Sequence, residues 1–486
     1  MLSELLQGTS FPGKFRDVRV NGLATDSRKV VKGDLFFALS GEHHDGNMFV
    51  RNAIDRGAVA VITGEREPGE NGIPVIPVPD INDTMAMMSA RFYGNPSRKM
   101  KLVGITGTNG KTTTSYILRK IFREAGLRTG ITGTISYIIG DRSFRARLTT
   151  PLAVDFQRIL KDMYEEGVTH VVSEVSSHAL GLKRVDYTDF DVSVFTNLTR
   201  DHLDFHGTME DYFRAKLRLF RELTHKAGII NIDDPYGRRI SEEISVAGLR
   251  VTTFGLSGAA VLRAVDVYED ERGIRFSIPL DGRALEVSSP LLGKTNVYNI
   301  LAAVGVSLVL DIDEEVIRRG IEGFQGVEGR MESVRMDREF MGVIDYAHTP
   351  DALQRVLKSL RGFTRGRIIT VFGCGGDRDR GKRPEMGRIA SQLSDLVIVT
   401  SDNPRSERPE DIIAGILEGV RKDNCTVVTD RREAIFRAVD IARKDDTILV
   451  AGKGHEDYQE IEGVRYPFKD REVLKEALDG LSRLSG

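Results

Sequence analysis

The stretch GITGTNGKTTTS, residues 104–115, decides the fold class of this chain. It follows the apolar run KLV and precedes a helical pattern, which is typical of a strand-to-helix loop that binds phosphate. The general phosphate-loop pattern has a glycine five residues before Gly110, yet this chain has Ile105 at that position. The context therefore predicts a nucleotide site, although the spacing departs from the common form.

Four residues of this loop supply the expected chemistry. Backbone N–H groups freed by Gly107 and Gly110 would point at an anion on the helix dipole. Lys111 would bridge phosphate groups, and the Thr112 hydroxyl would bind a metal ion. An ordinary glycine turn is the less favoured interpretation, because Gly-Lys-Thr stands between a strand and a helix.

The chain has 486 residues, more than one ordinary hydrophobic core organises, and this length predicts about three domains. The predicted fold class is α/β throughout. Residues 1–98 are predicted to form a small N-terminal α/β domain, and residues 99–330 a central P-loop-type domain with a mainly parallel sheet. Residues 331–486 are predicted to form a Rossmann-like, doubly wound domain of five strands. The strand-rich segment 250–292 predicts a separate small sheet.

Composition and charge exclude several classes of protein. Charged residues are 29% with a formal net charge of -2, so nothing indicates a nucleic-acid-binding surface. The start, MLSELLQGTSF, has no basic flank before a long apolar run, which argues against a secretory signal. The apolar stretch VYNILAAVGVSLVLDID is shorter than the roughly 20 residues of a membrane span. Cys374 and Cys425 cannot make a disulfide framework, and we expect a cytoplasmic protein.

Three further features lie in the predicted central domain. Glu174 ends the strand THVVSE, where a carboxylate would either bind Mg²⁺ beside the phosphates or simply begin a polar loop. The stretch TNLTRDHLDFHG adds His202 and His206 after another strand, which favours metal or phosphate contact. Lys216 stands among apolar residues in DYFRAKLRLF. A snorkelling side chain is the simpler interpretation of that pattern, and a chemical role is the alternative.

Charged loops follow the strands of the predicted C-terminal domain. GCGGDRDRGKR, residues 373–383, is rich in glycine but lacks the G-x-G-x-x-G order, so a nicotinamide site is disfavoured. Its cations are by default solvated: Arg378, Arg380, Lys382 and Arg383. DNPR, residues 402–405, and GKGHED, residues 452–457, follow neighbouring strands. Arginines beside aspartate, asparagine and glutamate would suit a zwitterionic substrate.

Taken in order along the chain, these motifs resemble the Mur ligase family. The resemblance runs essentially end to end and is carried by GTNGKTTT, TTP, EVSSHAL, TNLTRDHLDFH, YFRAKLRLF, NVYNILAA, GRME, DYAHTPDAL, GGDRDRGKRP, DNPR and GKGHEDYQ. The family's phosphate loop has the short form G-T-N-G-K-T, which explains Ile105. The resemblance implies an N-terminal domain for a UDP-sugar, a central ATPase domain and a C-terminal domain for an incoming amino acid.

The implied reaction is an ATP-dependent amide ligation in peptidoglycan precursor synthesis. ATP would phosphorylate the D-Glu side-chain carboxylate of UDP-N-acetylmuramoyl-L-Ala-D-Glu, and the amine of meso-diaminopimelate would attack the acyl phosphate. In this family DNPR goes with meso-diaminopimelate, whereas lysine-adding relatives differ there. The alternatives are the same ligation with L-lysine, a folylpolyglutamate synthetase and a non-ligase ATP hydrolase. The implied cofactors are ATP and Mg²⁺, the partners are small molecules, and a monomer is expected.

The resemblance also assigns roles to residues of this chain. Catalysis and Mg²⁺ binding would involve Lys111 on the phosphates and, on the metal, Thr112, Glu174, His202 and a carbamylated Lys216. ATP would be bound by Gly107, Thr108, Asn109, Gly110, Lys111, Thr112, Thr113, Asn299, Arg330 and Asp345. The UDP-sugar peptide would be bound by Ser27, His43, His44, Asp45, Thr149, Thr150, Ser176 and Arg184. Diaminopimelate would be bound by Arg378, Asp402, Asn403, Pro404, Arg405, Gly452 and Glu456. The chain departs from the family at Leu182, a position that is often polar, and this removes one expected substrate hydrogen bond.

Overall fold

The computed structural model describes residues 1–11, 15–41, 45–64, 72–280, 282–334 and 339–484. The chain divides into two compact units, of which the first comprises Met1–Arg263 and Leu301–Ile317. The second comprises Ala264–Ile300 and the chain from Arg318 onward. Within the described residues, no helix is long and apolar enough to cross a membrane. The domain boundaries near residues 98 and 330 stay predictions.

The first unit begins with a small parallel sheet of four strands in the order β1-β2-β3-β4. The strands are β1 (Gly22–Ala24), β2 (Asp34–Ala38), β3 (Ala60–Thr63) and β4 (Val75–Pro77). The helices are α1 (Leu2–Leu5), α2 (Val50–Asp55) and α3 (Ile81–Phe92). Apolar side chains of α1 and α3 pack on one face of the sheet, and those of α2 pack on the other. The predicted small α/β arrangement is confirmed.

A nine-stranded sheet forms the larger part of the first unit, in the order β13-β12-β11-β10-β5-β9-β6-β7-β8. Its strands are β5 (Lys101–Thr106), β6 (Thr129–Thr132), β7 (Ser136–Ile139), β8 (Arg142–Arg145), β9 (His170–Glu174), β10 (Phe190–Phe195), β11 (Thr224–Asn231), β12 (Arg250–Gly255) and β13 (Leu262–Arg263). The helices between them are α4 (Lys111–Glu124), α5 (Ala153–Glu165), α6 (Ser177–Gly181), α7 (Leu203–His206), α8 (Met209–Glu222) and α9 (Pro235–Val246). Only the pairs β6–β7 and β7–β8 are antiparallel among these strands, so the mainly parallel sheet is confirmed.

Strand order places three loops side by side in this sheet. β5 lies between β9 and β10 and is parallel to both, so the carboxyl ends of the three strands meet at one edge. Ile105 is fully buried in β5 and pairs with Glu174 on one side and Val194 on the other. The position that lacks the expected glycine is therefore the interior of a strand.

The second unit contains a three-stranded antiparallel meander of β14 (Val265–Asp270), β15 (Gly273–Leu280) and β16 (Arg283–Ser289). The predicted small sheet thus exists, but it begins later than expected, because residues 250–263 belong to the nine-stranded sheet. Two helices follow, α10 (Thr295–Val309) and α11 (Glu314–Glu322). Each of these helices contains one of the points at which the chain passes between the two units.

A six-stranded sheet forms the centre of the second unit, in the order β17-β18-β22-β19-β20-β21. Its strands are β17 (Glu332–Val334), β18 (Met341–Asp345), β19 (Ile368–Phe372), β20 (Leu396–Val399), β21 (Cys425–Val427) and β22 (Thr447–Ala451), and a hairpin follows with β23 (Tyr458–Ile461) and β24 (Val464–Pro467). The helices are α12 (Pro350–Arg361), α13 (Lys382–Leu393), α14 (Pro409–Leu417), α15 (Arg431–Ile441) and α16 (Asp470–Leu484). Helices α12 to α14 pack on one face and α15 and α16 on the other, which confirms the doubly wound arrangement.

The sequence prediction missed the shortest elements of this unit. The five predicted strands all exist as parallel strands, but the structure adds β17 as an antiparallel edge and the separate β23–β24 hairpin. A three-residue edge strand is too short to show periodicity. The hairpin carried a signal in the turn Glu462-Gly463, where both residues have positive φ.

A buried ion pair joins the two helices on one face of the six-stranded sheet. The Arg431 guanidinium donates to both carboxylate oxygens of Asp470 over 2.7 Å, and neither side chain is exposed. The same guanidinium donates to the carbonyl of Ala451 at 3.0 Å. The pair therefore holds the start of α16 and the end of β22 together. Removing one partner of such a pair strongly destabilises the fold, because the other charge stays buried without that partner.

Asp470→Asn is expected to lower the free energy of unfolding by about 3–5 kcal/mol, because Arg431 would lose its hydrogen-bonded carboxylate in a dry environment and keep only the 3.9 Å contact to Asp402. Chemical denaturation followed by circular dichroism measures this change. Asp479→Asn serves as the control, since Asp479 is exposed on the same helix and its substitution should change stability by less than about 0.5 kcal/mol. Equal effects of the two substitutions would contradict the assignment.

Candidate active site

The phosphate loop is fastened to the residues that follow β10. Gly107 has φ of +146°, and a β-carbon there would lie 1.9 Å from the Thr196 hydroxyl, so only glycine fits. The Asn109 N–H donates to the side-chain oxygen of Asn197 at 3.0 Å. The Thr196 hydroxyl in turn donates to the Asn109 carbonyl at 2.6 Å. These contacts fix the backbone of the loop from outside it.

Helix α4 begins directly after this loop. Gly110 is its N-cap residue with φ of +89°, and no side chain caps the helix. Thr112 and Thr113 lie in the first turn of this helix, where backbone N–H groups and the helix dipole favour an anion. The Lys111 ammonium donates to the carbonyls of Gly107 and Thr108 at 2.8 and 2.9 Å. The predicted loop residues thus lie together at the N-terminus of α4, where an anion would bind.

Glu174 lies at the end of β9 and is completely buried. Its Oε2 accepts hydrogen bonds from the hydroxyls of Thr112 and Thr134, both at 2.9 Å, and its Oε1 accepts one from the Thr134 N–H at 3.1 Å. A β-carbon at Gly133 would lie 2.3 Å from Oε1. Sequence reasoning missed Gly133 and Thr134, because their role appears only when β6 and β9 are side by side.

The Lys216 side chain does not snorkel, so that interpretation of the sequence is wrong. Lys216 is 1% exposed, and its amine donates to the Gly107 carbonyl at 3.1 Å and faces the Thr106 hydroxyl at 3.4 Å. The amine also lies 4.7 Å from the centre of the Tyr212 ring. Burial, reinforced by the positive charge of Lys111, lowers the pKa of Lys216 well below its ordinary value.

Two histidine rings, His202 and His206, lie close to Tyr212. The His206 ring stacks on the Tyr212 ring at 4.9 Å, and the His202 ring lies 4.7 Å from the His178 ring. Burial, with a smaller contribution from His178, lowers the pKa of His206 to about 4. Burial also lowers the pKa of His202, although Asp201 opposes the shift. These imidazoles are therefore available near neutral pH as uncharged groups.

The donor set fits Mg²⁺ in part. Glu174 and Thr112 place a buried carboxylate and a hydroxyl 2.9 Å apart, and oxygen ligands are those that Mg²⁺ prefers. Within the part of the chain that the structure describes, no three His, Cys, Asp or Glu residues form a metal-binding group. The predicted set contains only two such residues, Glu174 and His202. Phosphate and water oxygens usually complete the coordination of Mg²⁺. A set with only two such residues is therefore compatible with Mg²⁺, and the metal assignment stays a prediction.

Three of the residues assigned to the peptide part of the substrate lie against Glu174. The Thr150 hydroxyl donates to the Glu174 carbonyl at 2.8 Å and accepts the Ser176 N–H at 3.0 Å. The Thr149 hydroxyl lies 3.2 Å from that of Thr134, which itself donates to the Glu174 carboxylate. The structure thus gathers these hydroxyls next to the candidate metal ligand.

Arg184 and Ser27 occupy different parts of the first unit. The Arg184 guanidinium donates to the Thr150 carbonyl at 3.2 Å, and among the described residues its buried Nε has no hydrogen-bond partner. Ser27 lines a separate cleft of about 1280 Å³, together with Arg28, Arg142 and Arg145. Asp45 caps the turn whose Gly46 also lines that cleft. The predicted residues His43 and His44 lie outside the described residues.

In the second unit, Asp345 ends β18 and accepts the N–H groups of Met331 and Ala347 at 2.7 and 2.9 Å. Burial raises the pKa of Asp345, and the positive charge of Arg330 opposes the shift. The Arg330 guanidinium lies 4.8 Å from the Tyr346 ring centre, and its buried Nε has no partner among the described residues. Asn299 lies in α10 and donates to Asn296 at 2.8 Å.

The residues assigned to the amino acid meet at the carboxyl ends of β19, β20 and β22. We call them the acceptor rim: Arg378, Asp402, Asn403, Pro404, Arg405, Gly452 and Glu456. Asn403 donates to Glu456 at 2.7 Å, and the fully buried Lys453 amine donates to both residues at 3.0 and 3.2 Å. Lys453 was not predicted, although it stands inside GKGHED.

Close backbone approaches hold the rest of the rim. Gly452 has φ of +115°, and a β-carbon there would lie 2.5 Å from the Asp402 carboxylate. A β-carbon at Gly376 would lie 1.9 Å from the Pro404 carbonyl. Arg378 and Arg405 flank Gly375, whose β-carbon would lie 3.9 and 2.9 Å from their side chains. The structure therefore brings all seven predicted residues to one edge of the sheet.

The expectation that the glycine-rich loop carries only solvated cations is wrong for Arg383. Arg383 is 4% exposed and donates to both carboxylate oxygens of Glu407, at 2.8 and 3.1 Å. These bonds, with the Asp377 N–H, lower the pKa of Glu407 to about 2. Arg383 therefore fixes the loop that carries Arg378, rather than facing a ligand.

Models of protein families match three stretches of the chain. The Mur ligase family catalytic domain matches residues 19–93, the Mur ligase middle domain residues 105–307, and the Mur ligase glutamate ligase domain residues 329–454. The middle-domain match contains the phosphate loop, Glu174 and Lys216. The chain belongs to the Mur ligase family.

Several relatives that match this chain over nearly its whole length have the same name, that of one kind of Mur ligase. The UDP-N-acetylmuramoyl-L-alanyl-D-glutamate--2,6-diaminopimelate ligase of Aquifex aeolicus is 45% identical, over 95% of this chain and 94% of its own length. The protein of the same name in Gloeobacter violaceus is 46% identical, over 98% of each chain. A solved structure with this name is 35% identical, covers 95% of each chain and has a TM-score of 0.71. The MurF ligase of Thermotoga maritima in complex with ADP is 19% identical, covers 97% of this chain and 100% of that chain, and shows the same fold with a TM-score of 0.65.

Gly133→Ala is expected to weaken Mg²⁺-dependent nucleotide binding about tenfold, because the new β-carbon displaces the Glu174 carboxylate from the Thr112 hydroxyl. Titration calorimetry with ADP, in Mg²⁺ and in EDTA, measures the effect. Gly258→Ala is the control, since its β-carbon would meet no atom closer than 4.0 Å. An equal loss of affinity in EDTA would show that Glu174 does not act through a metal.

Proposed function

We propose that this protein is an ADP-forming ligase that joins meso-diaminopimelate to UDP-N-acetylmuramoyl-L-Ala-D-Glu. ATP phosphorylates the D-Glu side-chain carboxylate, the amino group of diaminopimelate attacks the acyl phosphate, and phosphate leaves as the amide forms. The observation that carries this proposal is the end-to-end identity of 45–46% to relatives named for this reaction. The acceptor rim supports it independently, because it combines arginines with Asp402, Asn403 and Glu456.

The phosphate loop supports a role in carboxylate activation. Lys111 and the first turn of α4 place positive charge and N–H groups at one corner, where the phosphates of ATP would be held. Mg²⁺ bound through Glu174 and Thr112 would screen the negative charge that builds up when a phosphate meets a carboxylate. Arg184 has an unsatisfied buried N–H near Thr150, which suits an anionic group of the peptide substrate.

Lys216 supports the proposal through its lost charge. Its amine is buried beside Lys111 at the same carbonyl oxygen, and its lowered pKa favours the neutral form. A neutral amine adds to CO₂ and releases a proton, which gives a carbamate with the charge of a carboxylate. We propose this modification for Lys216, where the carbamate oxygens would assist Glu174 in holding the metal and would neutralise Lys111.

The acceptor rim supports an amino acid with a second carboxylate. Glu456 offers a carboxylate to an ammonium group, while Arg405 and Arg378 offer two guanidinium groups. L-lysine lacks the distal carboxylate of diaminopimelate, so its binding would leave a guanidinium desolvated and unpaired. The rim therefore favours diaminopimelate over lysine.

Several assignments stay predictions. Asn299, Arg330 and Asp345 are assigned to ATP, and Ser27 and Asp45 to the UDP-sugar, on the resemblance of their motifs alone. The cytoplasmic location and the monomeric state also stay predictions. The alternatives of lysine addition and uncoupled ATP hydrolysis are separated by the substrate experiment that follows.

Phosphate release is expected only when Mg-ATP, UDP-N-acetylmuramoyl-L-Ala-D-Glu and meso-diaminopimelate are all present. The value of kcat/KM with meso-diaminopimelate should exceed that with L-lysine by at least about 100-fold, because lysine leaves an arginine unpaired. A coupled phosphate assay and mass spectrometry of the product measure both values. Equal turnover with lysine would refute the acceptor assignment, and phosphate release without an amino acid would indicate a hydrolase.

Lys216→Arg is expected to lower kcat by about 100-fold or more, because arginine keeps the positive charge but cannot form the carbamate. Lys216→Met, which removes the positive charge, should lower kcat to a similar extent. The loss in Lys216→Arg would then not be caused by the positive charge that arginine keeps. In ¹³C-bicarbonate the unaltered protein should show a carbamate carbon by NMR, and both variants should lack it. Lys161→Arg, at a half-exposed lysine of α5, is the control. A kcat within tenfold of the unaltered protein would refute the role of Lys216.

A further inference from the structure

Strand β23 runs past the tetrapeptide DNPR and contacts it residue by residue. The Gln459 side chain donates to the Asp402 carbonyl at 2.8 Å. The Glu460 N–H donates to the Asn403 side-chain oxygen at 2.9 Å, and the Glu460 carbonyl accepts the Arg405 N–H at 3.0 Å. Two adjacent residues of the hairpin therefore fix three of the four residues of DNPR.

The Arg405 side chain is held on two of its sides. Its backbone has φ of +53°, an uncommon value for a residue with a β-carbon, and it is maintained by a β-bridge to Ile461. The Nη1 atom donates to the Gly376 carbonyl at 2.7 Å. The Nε atom lies 3.8 Å from Glu460 Oε2, a charge contact that is too long for a hydrogen bond. Among the described residues, Nη2 has no hydrogen-bond partner, so this edge of the guanidinium is available to a ligand.

Glu460 is itself held in place. Its Oε2 also lies 3.8 Å from Arg465, whose guanidinium stacks over the Tyr458 ring at 4.3 Å. The side chains of Glu460 and Arg405 are 21% and 20% exposed, so solvent screens their interaction only partly. The carboxylate therefore stands between one arginine of the hairpin and one arginine of the acceptor rim.

We propose that Glu460 is a positioning residue that sets acceptor specificity. Its carboxylate keeps the Arg405 guanidinium oriented, with the Nη2 edge directed at the carboxylate that diaminopimelate has and lysine lacks. An arginine that is already oriented loses less conformational freedom on binding, so the acceptor binds more tightly. This inference rests on the proposed function, because it requires Arg405 to bind the acceptor.

The test compares Glu460→Gln with the unaltered protein in steady-state kinetics. KM for meso-diaminopimelate should rise about tenfold, equivalent to ~1.4 kcal/mol, while kcat and KM for ATP stay within about twofold. KM for L-lysine should not change, so the preference for meso-diaminopimelate falls by the same factor of about ten. Glu462→Gln removes the same charge from an exposed side chain of the same hairpin and should leave every constant unchanged.

A double-mutant cycle with Arg405→Ala separates this inference from the proposed function. In the Arg405→Ala protein, adding Glu460→Gln should have no further effect on KM, because the group that Glu460 orients is gone. If Arg405→Ala raises KM but Glu460→Gln does not, the inference fails and the proposed function stands. If neither substitution changes KM, the proposed acceptor site fails.

Two other outcomes would also overturn the inference. A lower KM for Glu460→Gln would show that Glu460 competes with the acceptor for Arg405. An equal rise in KM for meso-diaminopimelate and L-lysine, with a lower melting temperature, would show that Glu460 only stabilises the hairpin.

Discussion

Two lysine amines share one carbonyl oxygen, that of Gly107, and the chemistry of the first unit depends on this constraint. Lys111 reaches the oxygen from the loop at 2.8 Å, and Lys216 reaches it from α8 at 3.1 Å. Burial, with the positive charge of Lys111 as a smaller cause, lowers the pKa of the Lys216 amine well below its ordinary value. The carbonyl is fixed because Gly107 packs without a β-carbon against Thr196. The strand order therefore fixes the loop backbone, and the loop backbone brings the two lysine amines to one oxygen atom.

The sequence predicted the positions of the main strands well, because long apolar runs reflect burial on both faces of a parallel sheet. It also predicted which loops hold the polar residues, because parallel strands bring their carboxyl ends to one edge. The burial of Lys216 was not predictable in the same way. Its partners, Thr106 and Gly107, lie 110 and 109 residues earlier in the chain. The role of Gly133 was not predictable either, because the atom that excludes a β-carbon there belongs to Glu174, on strand β9.

In the second unit, buried cations support two parts of the acceptor rim. Lys453 supports Glu456, and Arg383 supports the loop of Arg378 through Glu407. A charge pattern in the sequence does not separate the supporting arginine from the exposed one, because both stand in the same loop. Burial alone separates them: Arg383 is 4% exposed, whereas Arg378 is exposed.

The strand order of the six-stranded sheet has a consequence for how the second unit is made. β22 (Thr447–Ala451) pairs with both β18 and β19, which precede it by 106 and 79 residues and do not pair with each other. During synthesis the centre of this sheet cannot close until residue 451 is available. Until then β18 and β19 each present an unpaired edge, which is the kind of surface that chaperones protect and that aggregates when exposed. The charged loops after these strands therefore come together only as the last central strand is inserted, which couples completion of the acceptor rim to completion of the fold.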